Sequence, residues 1–255
     1  MNLISVLQLG TVDYATGLRL QQSLVEMRKS GRVGDVLLLL EHSPVITLGR
    51  NARRENLLAS PDLLARKGVE VFECDRGGDI TFHGPGQLVG YPIFDLRGFQ
   101  PRIGAVEFVR RLEEVLIRSC ADFGVLCERV KGLTGVWTAK EQHQAKIAAI
   151  GVHISRGVTS HGFALNVNTD LDYFNLIVPC GITSKPVTSL ARETGAQMNL
   201  DDVGRVVAGH FAQVFASDVQ WVDTLDALLG NKVGVPMQPP AELRRLRGEE
   251  EIFRA

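Results

Sequence analysis

A cysteine and a lysine in this chain have surroundings that suit nucleophilic or proton-transfer chemistry. Cys180 lies between Pro179 and Gly181, in a predicted turn that could hold a thiol in a fixed direction. A thiol becomes a good nucleophile when a cation lies nearby, although most cysteines are buried and inert. Lys146 begins an apolar strand, where a lysine usually extends to water. Alternatively, a partly desolvated amine can exchange protons near neutral pH or stabilise a thiolate.

The segment RGGDITFHGPGQ, from Arg76 to Gln87, has a composition that a packing element does not need. Its four glycines let backbone come close to another group, and its polar side chains offer that group contacts. His83 lies in this segment, where it could act as a general base, contact a substrate or form a structural hydrogen bond. The segment therefore predicts a binding site with His83 as one candidate member.

Motifs for metal, nucleotide or serine-hydrolase chemistry do not occur in the sequence. The histidines form no HxH or HExxH set and the four cysteines lack metal-type spacing, so we expect no metal ion. Neither GxxxxGK[ST] nor a GxGxxG that opens a helix occurs, and GxSxG is absent too. We therefore expect no cofactor, and we interpret Cys74, Cys120 and Cys127 as structural residues.

Two strands predicted at 146–154 and 161–168 present small side chains on faces that could be shared. These small residues are Ala149 and Gly151 in the first strand and Gly162 and Ala164 in the second. The short connection that begins at Ser155 favours a hairpin. The four residues would then form the floor of a groove for a slender apolar ligand. The pattern alone favours the alternative, in which they pack against a helix.

The remaining elements are predicted from hydrophobic periodicity, capping residues and breaks at glycine or proline. Helices are predicted at 13–30, 60–68, 104–123, 186–194 and 201–216. Further strands are predicted at 36–41, 45–48, 69–73, 88–96 and 134–138. This mixture predicts an α+β fold. We predict one domain over residues 1–235 and a polar, loosely held tail over 236–255.

Composition and charge narrow the class of partner. The formal net charge of -1 gives no reason to expect nucleic acid or an acidic membrane surface. Hydrophobic residues make up 45% and charged residues 22% of the chain, which is typical of a soluble globular protein. The longest apolar run, Val36 to Leu40, is far too short to cross a bilayer, and the first residues lack a signal-peptide pattern. We expect a cytoplasmic location.

Four blocks of the sequence resemble the lipoate-protein octanoyltransferase family. They are RGGDITFHGPGQLVGY (76–91), KIAAIGVHI (146–154), HGFALNVNTDL (161–171) and VPCGITSKPVTSL (178–190). The resemblance is highly specific because the four motifs occur in order and at compatible spacing. It implies the fold shared by the catalytic domains of lipoate and biotin protein ligases, which is a mixed β-sheet flanked by helices.

The resemblance also implies roles for individual residues. Cys180 matches the family's acyl-accepting nucleophile, and Lys146 matches the lysine that lowers the pKa of that cysteine and exchanges protons. The residues that match the acyl pocket are Arg76, Gly77, Gly78, Asp79, Ile80, Thr81, Phe82, His83, Ala149, Ile150, Gly151, Gly162, Phe163 and Ala164. The four small residues grouped by strand alternation are among them, which favours the groove over helix packing.

The activity that the resemblance implies is transfer of an octanoyl group from acyl carrier protein to a lysine of a lipoyl domain. It would proceed without ATP through an acyl-Cys180 thioester, and its acceptors would be the apo lipoyl domains of 2-oxoacid dehydrogenases and the glycine cleavage H protein. The acceptor lysine must lose a proton, for which Lys146 is the first candidate and His83 the second. Two alternatives stay open: an ATP-dependent lipoate or biotin ligase, and a binder of acylated partners without turnover.

Basic residues near these segments could attract acidic protein partners. They are Arg50, Arg53, Arg54, Lys131, Lys140, Arg156 and Lys185. The alternative is that these charges are merely solvated.

Overall fold

The computed structural model describes residues 2–140, 144–179 and 185–230. The strands are β1 (Asn2–Val12), β2 (Asp35–His42), β3 (Val45–Leu48), β4 (Glu70–Glu73), β5 (Ile80–His83), β6 (Gln87–Ile93), β7 (Cys127–Glu128), β8 (Val136–Thr138), β9 (Lys146–Ser155), β10 (Val158–Asn166) and β11 (Ser217–Trp221). The helices are α1 (Tyr14–Lys29), α2 (Pro61–Arg66), α3 (Ala105–Asp122), α4 (Leu190–Thr194), α5 (Leu200–Phe215) and α6 (Leu225–Gly230). The tail predicted at 236–255 lies outside the described residues, so the division at residue 235 stays a prediction.

The main sheet has eight strands in the order β11-β1-β2-β6-β10-β9-β8-β7. Strand β1 runs parallel to β11 and to β2, whereas the pairs from β2 to β7 are antiparallel. A second sheet has the order β4-β3-β5. Helices α3 and α5 cover one face of the main sheet and α1 covers the other. The prediction of a mixed sheet flanked by helices is confirmed.

Capping residues set where the main helices begin. The side chain of Asp13 accepts a hydrogen bond from the backbone of the first turn of α1, and Asn199 does the same for α5. Ser60 caps α2, with Pro61 in the first helical position. These caps satisfy N–H groups that a helix leaves without internal partners. The cap of α1 also fixes the start of the helix, where Tyr14 faces the main sheet.

Some elements differ from the sequence predictions. Strands β1 and β11 were not predicted because polar residues interrupt their apolar positions, and β5 is hidden within the glycine-rich segment. The helix predicted at 186–194 is only the short α4, because the chain before it runs extended beside Lys146. Lys146 N donates to Pro186 O at 2.8 Å, and Thr188 N donates to Lys146 O at 2.9 Å. These two bonds tie the strap at 186–188 to the start of β9.

Candidate functional site

A narrow cavity lies over the hairpin of β9 and β10 on the face that α1 covers, and we call it the acyl cavity after the ligand that the sequence resemblance implies. The hairpin residues that line it are Ala149, Ile150, Gly151, Gly162, Phe163 and Ala164. Ala149 pairs with Ala164 and Gly151 pairs with Gly162, so the predicted hairpin and its shared face of small residues are confirmed. The cavity volume is about 50 Å³. An apolar cavity known to hold one benzene molecule measures about 150 Å³, so an extended acyl chain requires the walls of this cavity to separate.

The glycine-rich segment packs against this hairpin and forms the second wall. Gly77 N donates to Val152 O at 3.0 Å, and a Cβ atom added at Gly151 would lie 2.7 Å from Gly77 O. A Cβ atom at Gly49 would lie 2.5 Å from Gly78 O. Real Cβ atoms essentially never make contacts under 3.0 Å, so close backbone packing explains the glycines at these positions.

Most of the predicted wall residues between 76 and 83 line the acyl cavity. They are Arg76, Gly77, Gly78, Asp79, Thr81 and His83. Ile80 and Phe82 do not, because alternation along β5 turns them into the core beside the second sheet. The ring of Phe82 stacks on that of Tyr173 with centroids 4.7 Å apart. The structure therefore places Ile80 and Phe82 outside the cavity lining, and their contact with a substrate stays a prediction.

The guanidinium of Arg76 is buried in the cavity wall and ties the glycine-rich segment to β3. Nη2 donates to the carbonyl oxygen of Thr47 at 2.6 Å and to its Oγ1 at 2.9 Å, and Nη1 donates to Gly77 O at 3.1 Å. Only 8% of Arg76 is exposed, and no carboxylate in the described parts of the chain forms an ion pair with it. Its positive charge therefore disfavours any second cation in this wall.

His83 is enclosed in the same wall as a neutral imidazole. Burial, together with the neighbouring His42 and Arg76, lowers the pKa of His83 to about 3. Nδ1 donates to Oε1 of Gln87 at 2.8 Å, while Nε2 faces the hydroxyl of Thr47 at 3.4 Å. Such a weak base does not take protons near neutral pH. The geometry therefore favours His83 as a structural member of the wall over its predicted second role as a proton acceptor.

Buried hydrogen bonds connect this wall to the strap beside Lys146. Gln87 Nε2 donates to Asn166 Oδ1 at 2.9 Å, and Asn166 Nδ2 donates to Thr188 O at 2.9 Å. Thr188 N in turn donates to Lys146 O. Sequence reasoning did not single out these amides, although each lies in one of the four motif blocks. They hold the lysine-bearing strand in a fixed position relative to the cavity.

Lys146 lines a pocket that adjoins the acyl cavity. Its side chain is largely buried, with Nζ 5.3 Å from the centroid of the Trp137 ring. Together with Asn56 and Asp79 it lines a polar pocket of about 510 Å³. Asp79 and Ile150 line both this pocket and the acyl cavity, so the two spaces meet there. The amine of Lys146 thus lies in a pocket that is continuous with the acyl cavity.

Cys180 lies outside the described residues, so its predicted role stays a prediction. The described chain on either side of it is anchored beside Lys146. Val178 N donates to Asn56 O at 2.7 Å, and Val187 forms a parallel β-bridge with Lys146. Asn56 and Lys146, the partners of Val178 and Val187 in these contacts, line the same polar pocket.

The predicted basic residues do not form one continuous rim. The exposed side chains of Arg54 and Lys140 each pair with a glutamate, at 2.8 Å and 2.6 Å. Lys185 lies beside Lys146, with its Nζ 5.5 Å from the centroid of the same tryptophan ring. Arg156 occupies the hairpin turn at the far end of β9, roughly 30 Å away at the usual rise per residue. Arg156 therefore adjoins the predicted segment at 146–154 but is distant from Lys146.

Aromatic residues that sequence reasoning missed complete the acyl cavity. Tyr14 from α1 and Tyr91 from β6 line it, as does His161. The hydroxyl of Tyr91 donates to Nε2 of His42 at 2.6 Å, and His42 Nδ1 donates to Val12 O at 2.7 Å. Burial lowers the pKa of His42 to about 4, which keeps its ring neutral and fixes Tyr91. Alternation along β6 is the signal that could have identified Tyr91.

Residues 2–140, 144–179 and 185–230 contain neither a cluster of metal-ligating side chains nor a membrane-spanning helix. No group of three or more histidine, cysteine, aspartate or glutamate side chains there could hold a metal ion. No helix in these ranges has the length and apolar character needed to span a membrane.

Comparison with known sequences places these residues in a recognised group of enzymes. A family model described as the lipoyl protein ligase A/B catalytic domain matches residues 13–212. The octanoyltransferase of Koribacter versatilis is 60% identical over 248 residues, which cover 97% of this chain and 98% of that protein. The octanoyltransferase of Acidobacterium capsulatum is 57% identical over 235 residues, which cover 89% and 96%.

Comparison with solved structures supports the fold. A bipartite lipoate protein ligase from Thermoplasma acidophilum superimposes with a TM-score of 0.71 at 16% identity, covering 98% of this chain and 93% of that one. A lipoate-protein ligase A bound with ATP gives a TM-score of 0.68 at 15% identity, covering 96% and 94%. At these identities the similarity concerns the fold alone.

Proposed function

Because this chain belongs to the lipoate-protein octanoyltransferase family, we propose that it transfers an octanoyl group from acyl carrier protein to a lysine of a lipoyl domain. Octanoyl transfer in lipoate biosynthesis follows from the high identity to octanoyltransferases. The donor, the acyl-Cys180 thioester and the independence from ATP are proposed here. The proposed acceptors are the lipoyl domains of 2-oxoacid dehydrogenases and the glycine cleavage H protein.

One observation carries this proposal. The acyl cavity, floored by paired glycines and alanines, meets the polar pocket that holds Lys146. A saturated acyl chain can lie along small side chains because they leave room above the sheet. The carbonyl carbon of the chain would then lie at the junction of the two spaces, next to an amine.

In the first proposed step, Cys180 accepts the acyl group. Lys146 takes the proton of the Cys180 thiol, and the thiolate attacks the carbonyl carbon of the octanoyl thioester. The bond from that carbon to the sulfur of the carrier's phosphopantetheine arm breaks. The departing thiolate takes the proton from Lys146. One thioester replaces another, so the step is nearly balanced in energy and needs no ATP.

In the second step, the acceptor lysine takes the acyl group from Cys180. This lysine arrives as an ammonium, and Lys146, now neutral, takes its proton. The amine nitrogen attacks the acyl carbon and releases its second proton to water, the bond to the Cys180 sulfur breaks and an amide forms. The Cys180 thiolate regains a proton from Lys146, which returns both groups to their starting state.

Intact-mass measurement tests the covalent intermediate. The protein is incubated with octanoyl-acyl carrier protein without ATP, and we expect one octanoyl adduct that hydroxylamine removes. Cys180→Ser should not form this adduct, whereas Cys127→Ser, a matched cysteine on β7, should form it normally. A hydroxylamine-labile thioester adduct that persists in Cys180→Ser would overturn the nucleophile assignment.

Addition of an apo lipoyl domain separates the alternatives. The proposal predicts loss of the adduct and gain of one octanoyl group on the domain, again without ATP. Transfer that occurs only with free octanoate and ATP would identify an adenylate-forming ligase instead. Tight binding of acyl carrier protein without any transfer would identify a binder without turnover.

A further inference from the structure

A second cavity lies behind the acyl cavity, between α1 and the hairpin. Its volume is about 200 Å³, compared with about 50 Å³ for the acyl cavity, and we call it the rear cavity. Gln21 from α1 lines it together with Asp75 and His153. His161 is the single residue, among those that the structure describes, that lines both cavities.

The rear cavity continues the groove along the same face of the hairpin. The paired residues on this face, in order from the Lys146 end, are Ala149–Ala164, Gly151–Gly162 and His153–Ser160. The first two pairs line the acyl cavity, and the third pair lines the rear cavity. A straight chain that enters beside Lys146 and follows the groove would therefore reach the rear cavity if nothing blocked it.

The ring of His161 is held between the two cavities. Its Nε2 lies 2.7 Å from Oδ1 of Asp75, which lines the rear cavity. On the other side, the ring makes an edge contact with Tyr91, which lines the acyl cavity, with centroids 6.4 Å apart. The backbone N–H of His161 donates to Oε1 of Gln21 at 2.7 Å. Asp75 and Tyr91 therefore hold the ring, and Gln21 holds the backbone that carries it.

We propose that His161 sets the upper limit of acyl chain length, because its ring closes the acyl cavity and blocks access to the rear cavity. This proposal rests on the proposed function, since it specifies the donor that the same site accepts. A chain that reaches the ring has no further apolar surface to bury, so extra methylenes bring no affinity. Removal of the ring joins the two cavities, so that a longer acyl chain can pack against the side chains of Leu18 and Val25.

His161→Gly tests the proposal because it removes the ring and suits the backbone. His161 has a φ of 54°, a left-handed conformation in which glycine is not strained. We expect the ratio of kcat/KM for dodecanoyl over octanoyl carrier protein to rise about tenfold or more. Leu18→Ala is the matched control, since it enlarges the rear cavity and removes no contact of Asp75 or of the His161 ring. We expect no change of this ratio in the control.

Fatty acid binding provides a measurement that does not depend on catalysis. Calorimetric titration with saturated fatty acids of increasing length should show affinity rising about fourfold per methylene and then levelling off. In His161→Gly, the chain length at which the affinity stops rising should increase by at least two carbons. If the glycine variant does not fold, His161→Asn serves instead, because asparagine tolerates a left-handed φ.

The outcomes distinguish this proposal from the proposed function. An unmoved levelling point and an unchanged kcat/KM ratio in a folded His161 variant would overturn the role of His161, even if octanoyl transfer is normal. A shifted levelling point in a protein that transfers no acyl group would support the role of His161 and reject the proposed function.

Discussion

Lys146 lines the polar pocket and His83 lines the acyl cavity, and the surroundings of the two side chains allow different chemistry. Lys146 borders the large polar pocket through which a substrate amine can approach. His83 is enclosed, and both of its ring nitrogens face neighbouring side chains. Proton exchange with a substrate requires contact with that substrate. At the scale of single residues, the structure therefore favours Lys146 as the proton-transfer group.

Lys146→Arg should reduce octanoyl transfer to a lipoyl domain by about 10²-fold or more. An arginine keeps a long apolar stem and a positive charge, but it cannot give up its proton near neutral pH. Single-turnover transfer from octanoyl-acyl carrier protein measures the rate. The exposed Lys131→Ala is the control and should transfer at the normal rate. Normal transfer by Lys146→Arg would show that proton exchange at this position is not required.

At the scale of elements, period-two alternation predicted the hairpin because both strands are long and present a clean pattern of small and large residues. Other parts of the site have no such local signal. The strap at 186–188 was predicted as helix because its extended form depends on hydrogen bonds to Lys146, which is distant in sequence. Tyr14 lies in the cavity wall because α1 packs on the sheet. Periodicity in the sequence of a helix does not show which element the helix packs against.

Ala149→Val should impair octanoyl transfer without unfolding the protein. The added methyl groups would project into the acyl cavity and shorten the space for the chain. We expect kcat/KM for the octanoyl donor to fall about tenfold or more, and kcat/KM for a butanoyl donor to fall less. Transfer assays over several chain lengths measure the effect.

Ala148→Val is the matched control on the opposite face of β9. Ala148 is buried in the core beneath α3 and α5, so the larger side chain should cost about 1–3 kcal/mol of stability. The order of preference among chain lengths should stay as in the unmodified protein. An equal change of preference in both variants would contradict the assignment of the two faces.

Gly49→Ala should disrupt the junction between β3 and the glycine-rich segment. The new Cβ atom would lie 2.5 Å from Gly78 O, so the backbone of the cavity wall must shift. We expect a loss of about 1–3 kcal/mol in the free energy of unfolding, together with weaker octanoyl transfer. Gly209→Ala in α5 meets no atom within 4 Å and should stabilise the protein by up to about 1 kcal/mol. Urea unfolding of both variants measures these changes in the free energy of unfolding.

At the scale of the whole molecule, buried neutral histidines couple stability to pH. The pKa of His42 is lowered to about 4 and that of His83 to about 3, in both cases chiefly by burial. The unfolded chain regains ordinary pKa values near 6.5, so it binds more protons than the folded protein below that pH. Stability from these groups is fully present above about pH 6.5 and is lost as the pH falls toward 4.

The free energy of unfolding should therefore decrease between pH 6 and 4.5 by about 1.4 kcal/mol per pH unit for each of these histidines. His42→Gln should lower that slope by the contribution of one histidine, whatever its effect on stability at pH 7. Urea titrations at several pH values measure the slope. An identical slope in the variant would show that His42 is not held neutral by burial.

The pairing of β1 with β11 sets the order in which a newly made chain can complete its sheet. The described residues that line the acyl cavity and the polar pocket all precede residue 193. Strand β11, which pairs with the outer edge of β1, begins only at Ser217. A chain emerging from the ribosome therefore has its catalytic elements available while the edge of β1 is still uncovered. An uncovered edge is a template for pairing with other chains. Among the described strands, the last to be made thus covers the edge of the first and ends its exposure to other chains.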